Sequence, residues 1–379
     1  MEKKICSNCV NDYALEAYIV NEEVGGCCSY CGEEGWVVES GELMVYIKDC
    51  ISIEYGRAVE WLGYDSREGG YQGTTYDSYD LVDEICALNE IAEDFREELV
   101  EFFSDEIWCD RDPYGDDESS ILRYTWGNFV KFIKTKRRYF FWKIETNKES
   151  DDYTSNTHLI LEDIAQNIID LKLIAPLERG TVIYRGRRGK LTPSCEKLGP
   201  PPSEKAQQNR MSPAGISMFY GAFDQETIIA EILDENLFEP VTIGSFKTTQ
   251  DFNVIDFTKL PQFISIFDKE KSRYREGLIF MKSFLRDFVS PVEKDGREHV
   301  DYVPTQVVTE FIRDSFLSYN IQGILYPSSK NNEKCCVLFF DCSNCTQDAQ
   351  DDRSQIYLSL ESADTIVALP EFKYSRLNE

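Results

Sequence analysis

Three short stretches, far apart in the chain, carry residue types that work together on a phosphorylated sugar: Tyr184-Arg185-Gly186-Arg187, then Arg210 through Tyr220 to Glu231, then Tyr326-Pro327-Ser328-Ser329. Guanidinium groups make paired, charge-assisted hydrogen bonds to phosphate oxygens, so Arg185 and Arg210 are candidates for holding an anionic ligand. A carboxylate beside a ribose stabilises the positive charge that builds on the sugar as an N-glycosidic bond breaks. Glu231 is the candidate for that role. Tyr220 offers a ring for stacking on a base, and Ser328, at a predicted strand end, offers a hydroxyl to a ribose or phosphate. Each residue alone has a plainer reading, since Tyr-Arg pairs, helix glutamates and Pro-Ser-Ser loops are common surface features. Their joint order points to one site.

The elements that must position them lie in the second half of the chain. The β-branched run Thr181-Val182-Ile183-Tyr184-Arg185 predicts a strand, followed by a helix over 226–233, a strand over 241–246 and helices near 275–288 and 305–318. Strands return at 323–326 and 336–340, and Ile356-Tyr357-Leu358 adds an edge. This order predicts an α+β domain around a central β-sheet. From about 40 to 145 apolar residues recur at helical spacing, as in Leu81, Ile85 and Leu88 or Phe95, Leu99, Phe102 and Phe103, with a further amphipathic helix near 159–171. The polar run Asn147-Lys148-Glu149-Ser150-Asp151-Asp152 is the best linker candidate.

Ahead of these elements stand Cys6-Ser7-Asn8-Cys9 and Cys28-Ser29-Tyr30-Cys31. Two C-x2-C knuckles of this kind wrap a tetrahedral zinc, and four thiolates leave no open position for a reactive water, so the metal is structural. Cys6, Cys9, Cys28 and Cys31 are the expected ligands, with Cys27 competing for the place of Cys28. Cys335-Cys336 with Cys342 and Cys345 is a weaker second group, because adjacent residues on a strand face opposite ways. Cys195 is read as an ordinary thiol.

With 379 residues the chain suits two or three folding units. Asp and Glu number 68 against 40 Lys and Arg, so the overall field repels phosphate backbones and nucleic acid is not expected as a general ligand. The N-terminus lacks the apolar run of a secretory signal and no stretch is long enough to span a bilayer, so a cytoplasmic location without a membrane partner is expected. Gly186-Arg187-Arg188-Gly189-Lys190-Leu191 lacks the spacing and the hydroxyl of a phosphate-binding P-loop.

The four stretches Tyr184–Arg187, Arg210–Ala222, Ala230-Glu231-Ile232 and Gly323–Ser329 together resemble the RES domain, over about 180–345. Val303–Phe311 resembles the helix that precedes the serine segment in longer members. The preceding region is similar to the N-terminal extension of some RES proteins, related in name to HEPN domains. The resemblance implies a division into a zinc-binding module at 1–35, a helical HEPN/RES-type domain at 36–150 and a RES domain at 151–379. It also implies an ADP-ribosyltransferase-like fold and destruction of NAD by hydrolysis or phosphorolysis of its nicotinamide–ribose bond. Some members instead modify a protein, and many are toxins held by an antitoxin or serve in phage defence. By motif position the resemblance gives Glu231, Arg185 and Ser328 catalytic roles and Arg210, Tyr220 and Tyr184 substrate-binding ones. A protein ADP-ribosyltransferase and a non-enzymatic interaction module are the alternatives; an antitoxin, another regulatory protein or a second copy of the chain are the partners to test. HEPN nucleases place a histidine four to six residues after an arginine, and neither His158 nor His299 has such an arginine before it, which removes the ribonuclease reading.

Overall fold

The computed structural model describes residues 2–88, 90–139, 159–232, 240–292, 295–348 and 353–367; the linker candidate at 147–152 and His158 lie outside them. The chain forms two compact units, Met1–Glu118 with Pro261–Leu278 and Ser119–Leu260 with Ile279–Glu379.

The first unit opens with a three-stranded antiparallel ribbon, β1 (Lys4–Cys6), β2 (Gly25–Cys27) and β3 (Glu34–Glu39), in the order β1-β3-β2. Helix α1 (Tyr13–Asn21) starts where the Asp12 carboxylate accepts hydrogen bonds from the amides of Ala14 and Leu15. Helices α2 (Ser40–Ile51), α3 (Ala58–Trp61) and α4 (Glu93–Phe103) follow, with two short pairs, β4 (Tyr55–Arg57) on β7 (Trp108–Asp110) and β5 (Tyr64–Asp65) on β6 (Gly70–Tyr71). Leu15, Ile47, Phe95 and Leu99 are buried in the same cluster as Cys6 and Cys28, so the ribbon and the helices share one core.

Residues 261–278 return to this core from late in the sequence. Ile266 and Phe267 are buried in it, Tyr46 Oη donates to the Phe267 carbonyl at 3.0 Å, and Ser265 Oγ donates to Asp12 at 3.0 Å. Arg275 pairs with Glu54 at 2.5 Å. Phe267→Ala is expected to destabilise the first unit by about 3–5 kcal/mol, read from its denaturant midpoint, because a fully buried ring leaves a cavity. A loss below about 1 kcal/mol would show that the returning segment is only laid on the surface.

The second unit is built on a nine-stranded sheet. Its strands are β8 (Ile174–Leu177), β9 (Val182–Arg188), β10 (Phe219–Ala222), β11 (Pro240–Thr248), β12 (Phe252–Asp256), β13 (Ile321–Pro327), β14 (Lys334–Leu338), β15 (Cys345–Thr346) and β16 (Leu358–Val367). Their order is β15-β16-β11-β9-β10-β14-β13-β12-β8, antiparallel except for β12 with β13 and β15 with β16. The strand expected at 356–358 therefore starts later, runs longer and sits one place in from the edge, held along its length by β11. Helices α5 (Glu118–Thr135), α6 (Ile160–Asp170), α9 (Arg275–Val289) and α11 (Val303–Ser315) cover one face through Trp126, Phe129, Ile164, Phe284 and Val308. The short helices α7 (Cys195–Leu198), α8 (Gln225–Ile232) and α10 (Glu298–Asp301) complete the unit. Among the described residues no helix is long and apolar enough to cross a membrane.

The acidity is unevenly shared. The first unit holds 34 Asp and Glu against 11 Lys and Arg, the second 34 against 29, so an anionic ligand meets a much weaker repulsive field at the second.

Candidate functional site

The sheet of the second unit forks between β9 and β10. Strand β9 pairs with β11 from Val182 to Arg188, and β10 pairs with β14 from Phe219 to Ala222, but β9 meets β10 only at Ala222 and Tyr184. A cleft of about 580 Å³ has Arg185 and Arg187 from β9, Tyr220 from β10, Glu231 from α8, Tyr326 from β13 and Cys335 from β14 in its lining. The segment from Leu191 to Met218 supplies further lining, including Lys197, Lys205, Asn209 and Ser212.

Alternation along β9 puts Arg185 and Arg187 on the face of Ile183, which packs with Phe219 and Phe246. The Arg185 guanidinium lies over the Phe219 ring at 5.0 Å and donates to the Tyr220 carbonyl at 3.0 Å, across the fork. Its Nε, like that of Arg187, is buried without a hydrogen-bond partner. Burial, together with the charge of Arg187, lowers Arg185 to about 9, and burial also lowers Arg187. Both remain cationic at neutral pH. A carbonyl and an aromatic ring answer the Arg185 charge far less well than an anion does, so this wall is built for a ligand that brings negative charge.

Glu231 sits in the last turn of α8, a helix begun by Asp224, whose carboxylate accepts from the Thr227 amide at 2.7 Å. Gly186 lets this helix approach β9: a Cβ there would lie 2.2 Å from Ile232 Cδ1 and 2.6 Å from Ile228 Cγ2. The Ser328 hydroxyl donates to Glu231 Oε1 and accepts from the Lys330 amide at 3.1 Å. Ser328 is 3 % exposed and stands behind the carboxylate rather than in the cleft lining. Tyr220 is pushed up to about 12 by burial, and its hydroxyl bonds to Ser212 Oγ at 2.9 Å. Burial also drives Tyr326 well above the usual phenol range, with Cys335 and Glu231 among its neighbours. Both phenols stay neutral and can donate.

Two expected contacts lie elsewhere. Arg210 directs its guanidinium to the Phe288 carbonyl at 3.4 Å, in the last turn of α9, and is not in the cleft lining. Its neighbours are braced by α11, where Gln306 Nε2 donates to the carbonyls of Asn209 at 2.8 Å and Ser212 at 3.2 Å. Tyr184 faces away from Arg185 and packs with Ala222, Ile228 and Val241. Tyr326 and Arg187 stand within the stretches read from the sequence but have no individual role there, Arg187 counting only among the arginines of 185–188 as a basic pocket for a small anion. For Arg187 the signal was its two-residue spacing from Arg185 on a strand.

In the first unit the sulfurs of Cys6, Cys9, Cys28 and Cys31 all lie within 4.8 Å of one another, with Cys6–Cys31 at 3.6 Å and Cys9–Cys28 at 3.7 Å. Tetrahedral zinc with bonds of about 2.3 Å requires sulfurs about 3.8 Å apart, so the residues fit the ion. Gly32 closes the second knuckle at φ +78°, and the Tyr30 amide points at Cys28 Sγ at 3.4 Å, which suits a thiolate. Cys27 instead directs its thiol to the Gly32 carbonyl at 3.4 Å. Among the described residues this is the one group with metal-ligand spacing; Cys335 and Cys336 belong to different clusters on opposite faces of β14.

The family model for HEPN/RES N-terminal domain 1 matches residues 21–147, and that for the RES domain matches residues 190–359. Arg210, Tyr220, Glu231 and Ser328 fall inside the second match and Arg185 just ahead of it. No curated protein matches the chain. Among solved structures, the chain is similar to one in the crystal structure of the M.tuberculosis MbcT-MbcA toxin-antitoxin complex, at 15% identity and a TM-score of 0.31, covering 56% of this chain and 94% of that one. Two consecutive family matches and the four ordered motifs identify the chain as a RES-domain protein with a HEPN/RES N-terminal domain 1.

Proposed function

We propose that the cleft binds NAD and cleaves its nicotinamide–ribose bond, by hydrolysis or phosphorolysis, on an ADP-ribosyltransferase-like scaffold. The observation that carries this reading is one cleft lined by both an ordered carboxylate, Glu231, and two guanidiniums, the buried Arg185 and the half-buried Arg187, each with an Nε that has no hydrogen-bond partner. NAD is a pyrophosphate joined to a cationic base through a ribose, and it needs an anion wall and a carboxylate together. In this reading Arg185 holds pyrophosphate and Tyr220 and Tyr326 border the base and ribose. Arg210 holds the segment that carries Asn209 and Ser212, and Tyr184 supports α8. Zinc on Cys6, Cys9, Cys28 and Cys31 is structural, and the bounds at about 35 and 150 mark zinc, helical and RES modules of the sequence, the first two of which fold around one shared core. The protein acts in the cytoplasm as a toxin or defence effector, restrained by an antitoxin or other regulatory protein.

The test is incubation of the full-length protein with NAD, with and without phosphate. Nicotinamide is expected in the medium, with free ADP-ribose if water is the acceptor and a phosphorylated ADP-ribose if phosphate is. Label retained on protein would indicate a transferase, and NAD that survives in every condition overturns the enzyme reading.

Ser328→Ala leaves Glu231 without its hydroxyl donor and is expected to lower kcat about tenfold, the loss of about 1.4 kcal/mol of positioning, with KM little changed. A rise in KM at constant kcat would instead make Ser328 a ligand contact.

A further inference from the structure

Beyond the NAD chemistry, and independent of it, we propose that Cys195 and Cys345 form a redox dithiol at the rim of the cleft that closes reversibly to a disulfide. Their sulfurs lie 3.1 Å apart although the residues are 150 positions distant in sequence. Two features hold them there. Helix α7 is capped by the Ser194 hydroxyl and buries Leu198 fully, while β15 is pinned by its parallel pairing to β16. The Gln347 side chain, two residues beyond Cys345, accepts from the Cys195 amide at 3.2 Å, tying the two segments together. The bond therefore needs the sulfurs to close by about 1 Å, to about 2.05 Å.

The two thiols differ in the way a redox pair requires. Cys195 is half-buried and open to a small oxidant, whereas Cys345 is buried. The hydrogen bond from Cys345 lowers Cys195, favouring its thiolate, while that same bond and burial raise Cys345 and keep it a thiol. The oxidant is a peroxide. The Cys195 thiolate attacks one peroxide oxygen, the O–O bond breaks, and with hydrogen peroxide a hydroxide leaves, giving a sulfenic acid. The Cys345 sulfur then attacks the Cys195 sulfur and the S–O bond breaks. The departing hydroxide takes the Cys345 proton as water, so two sulfurs are oxidised and one peroxide is reduced to two waters. A thiol reductant reverses the step by exchange.

The location gives the pair its consequence. Helix α7 places Glu196 and Lys197 on the cleft wall, and the Gly199 carbonyl just after it accepts from Arg187 at 3.3 Å. The link fixes that wall to the sheet.

The full-length, zinc-loaded protein is treated with hydrogen peroxide, alkylated, digested and mapped by mass spectrometry. A peptide joining Cys195 to Cys345 is expected, with the loss of two hydrogens, and dithiothreitol should abolish it. In Cys195→Ser, shown folded by circular dichroism, no link forms and Cys345 stays alkylatable. The proposal falls if both cysteines of the native protein remain free thiols at peroxide levels that oxidise exposed Cys342, or if Cys195 advances to sulfinic acid without a link. Neither outcome depends on NAD turnover.

Discussion

Glu231→Gln is expected to slow nicotinamide release from NAD by about 10²–10³-fold while changing the Kd for NAD by less than about threefold. Glutamine keeps the length of the side chain and an oxygen able to accept the Ser328 hydrogen bond, but it removes the negative charge. In the proposed reaction that charge would have little to do in the ground state, where the guanidiniums would hold the phosphates; it would act when positive charge develops on the ribose. The loss therefore falls on kcat and on kcat/KM alike. Glu231 lies in the last turn of a helix and is exposed on one side, so the exchange leaves the core untouched. Single-turnover rates and equilibrium NAD binding on the same preparation separate the outcomes. A kcat within threefold of the native value, or a loss of affinity that accounts for the whole defect, would sink the assignment of the carboxylate to the chemistry.

Removing the metal should cost the first unit its fold. Cys6 and Cys28 are each 2 % exposed and sit within the same core as Leu15, Ile47 and Phe95, so the proposed ligands are core residues as well. Structural zinc contributes about 10–16 kcal/mol of apparent binding free energy at neutral pH, which matches or exceeds the total stability of a typical domain, about 5–15 kcal/mol. The excess of acidic side chains opposes compaction further, because their mutual repulsion is relieved on unfolding. Cys9→Ser is expected to lose stoichiometric zinc by elemental analysis and to melt the helices of this unit by circular dichroism and hydrogen exchange. A native protein with no bound zinc and an unchanged melt after chelation would contradict the assignment.

Long helices were legible because their apolar spacing persists over three or more turns, as in 93–103, 160–170, 275–289 and 303–315. The ribbon was not. Its middle strand by sequence is Gly-Gly-Cys, three residues without a β-branched side chain. Strand 174–177 was hidden by Pro176, which is tolerated because this strand lies at the sheet edge. In the site, Arg185, Glu231 and Ser328 were readable by type and order, and Ser328 behind Glu231 was not, since a hydroxyl gives no sign of whether it faces ligand or neighbour. The turn of Arg210 toward a helix carbonyl depends on α9, and the Cys195–Cys345 contact on a strand pairing 150 residues away; no local pattern encodes either.

The segment 261–278 sets a timetable for synthesis. The first unit has emitted most of its sequence by residue 118, yet Ile266 and Phe267 belong to its core, so that core stays incomplete until roughly 160 more residues have been made, about 10–30 s at ordinary translation rates. During that interval an acidic, zinc-competent nascent chain must persist with a gap in its centre. For the same reason a single cut near residue 150 does not release a finished N-terminal unit, and the two halves of this protein cannot be exchanged as separate modules at that point without carrying the later segment along.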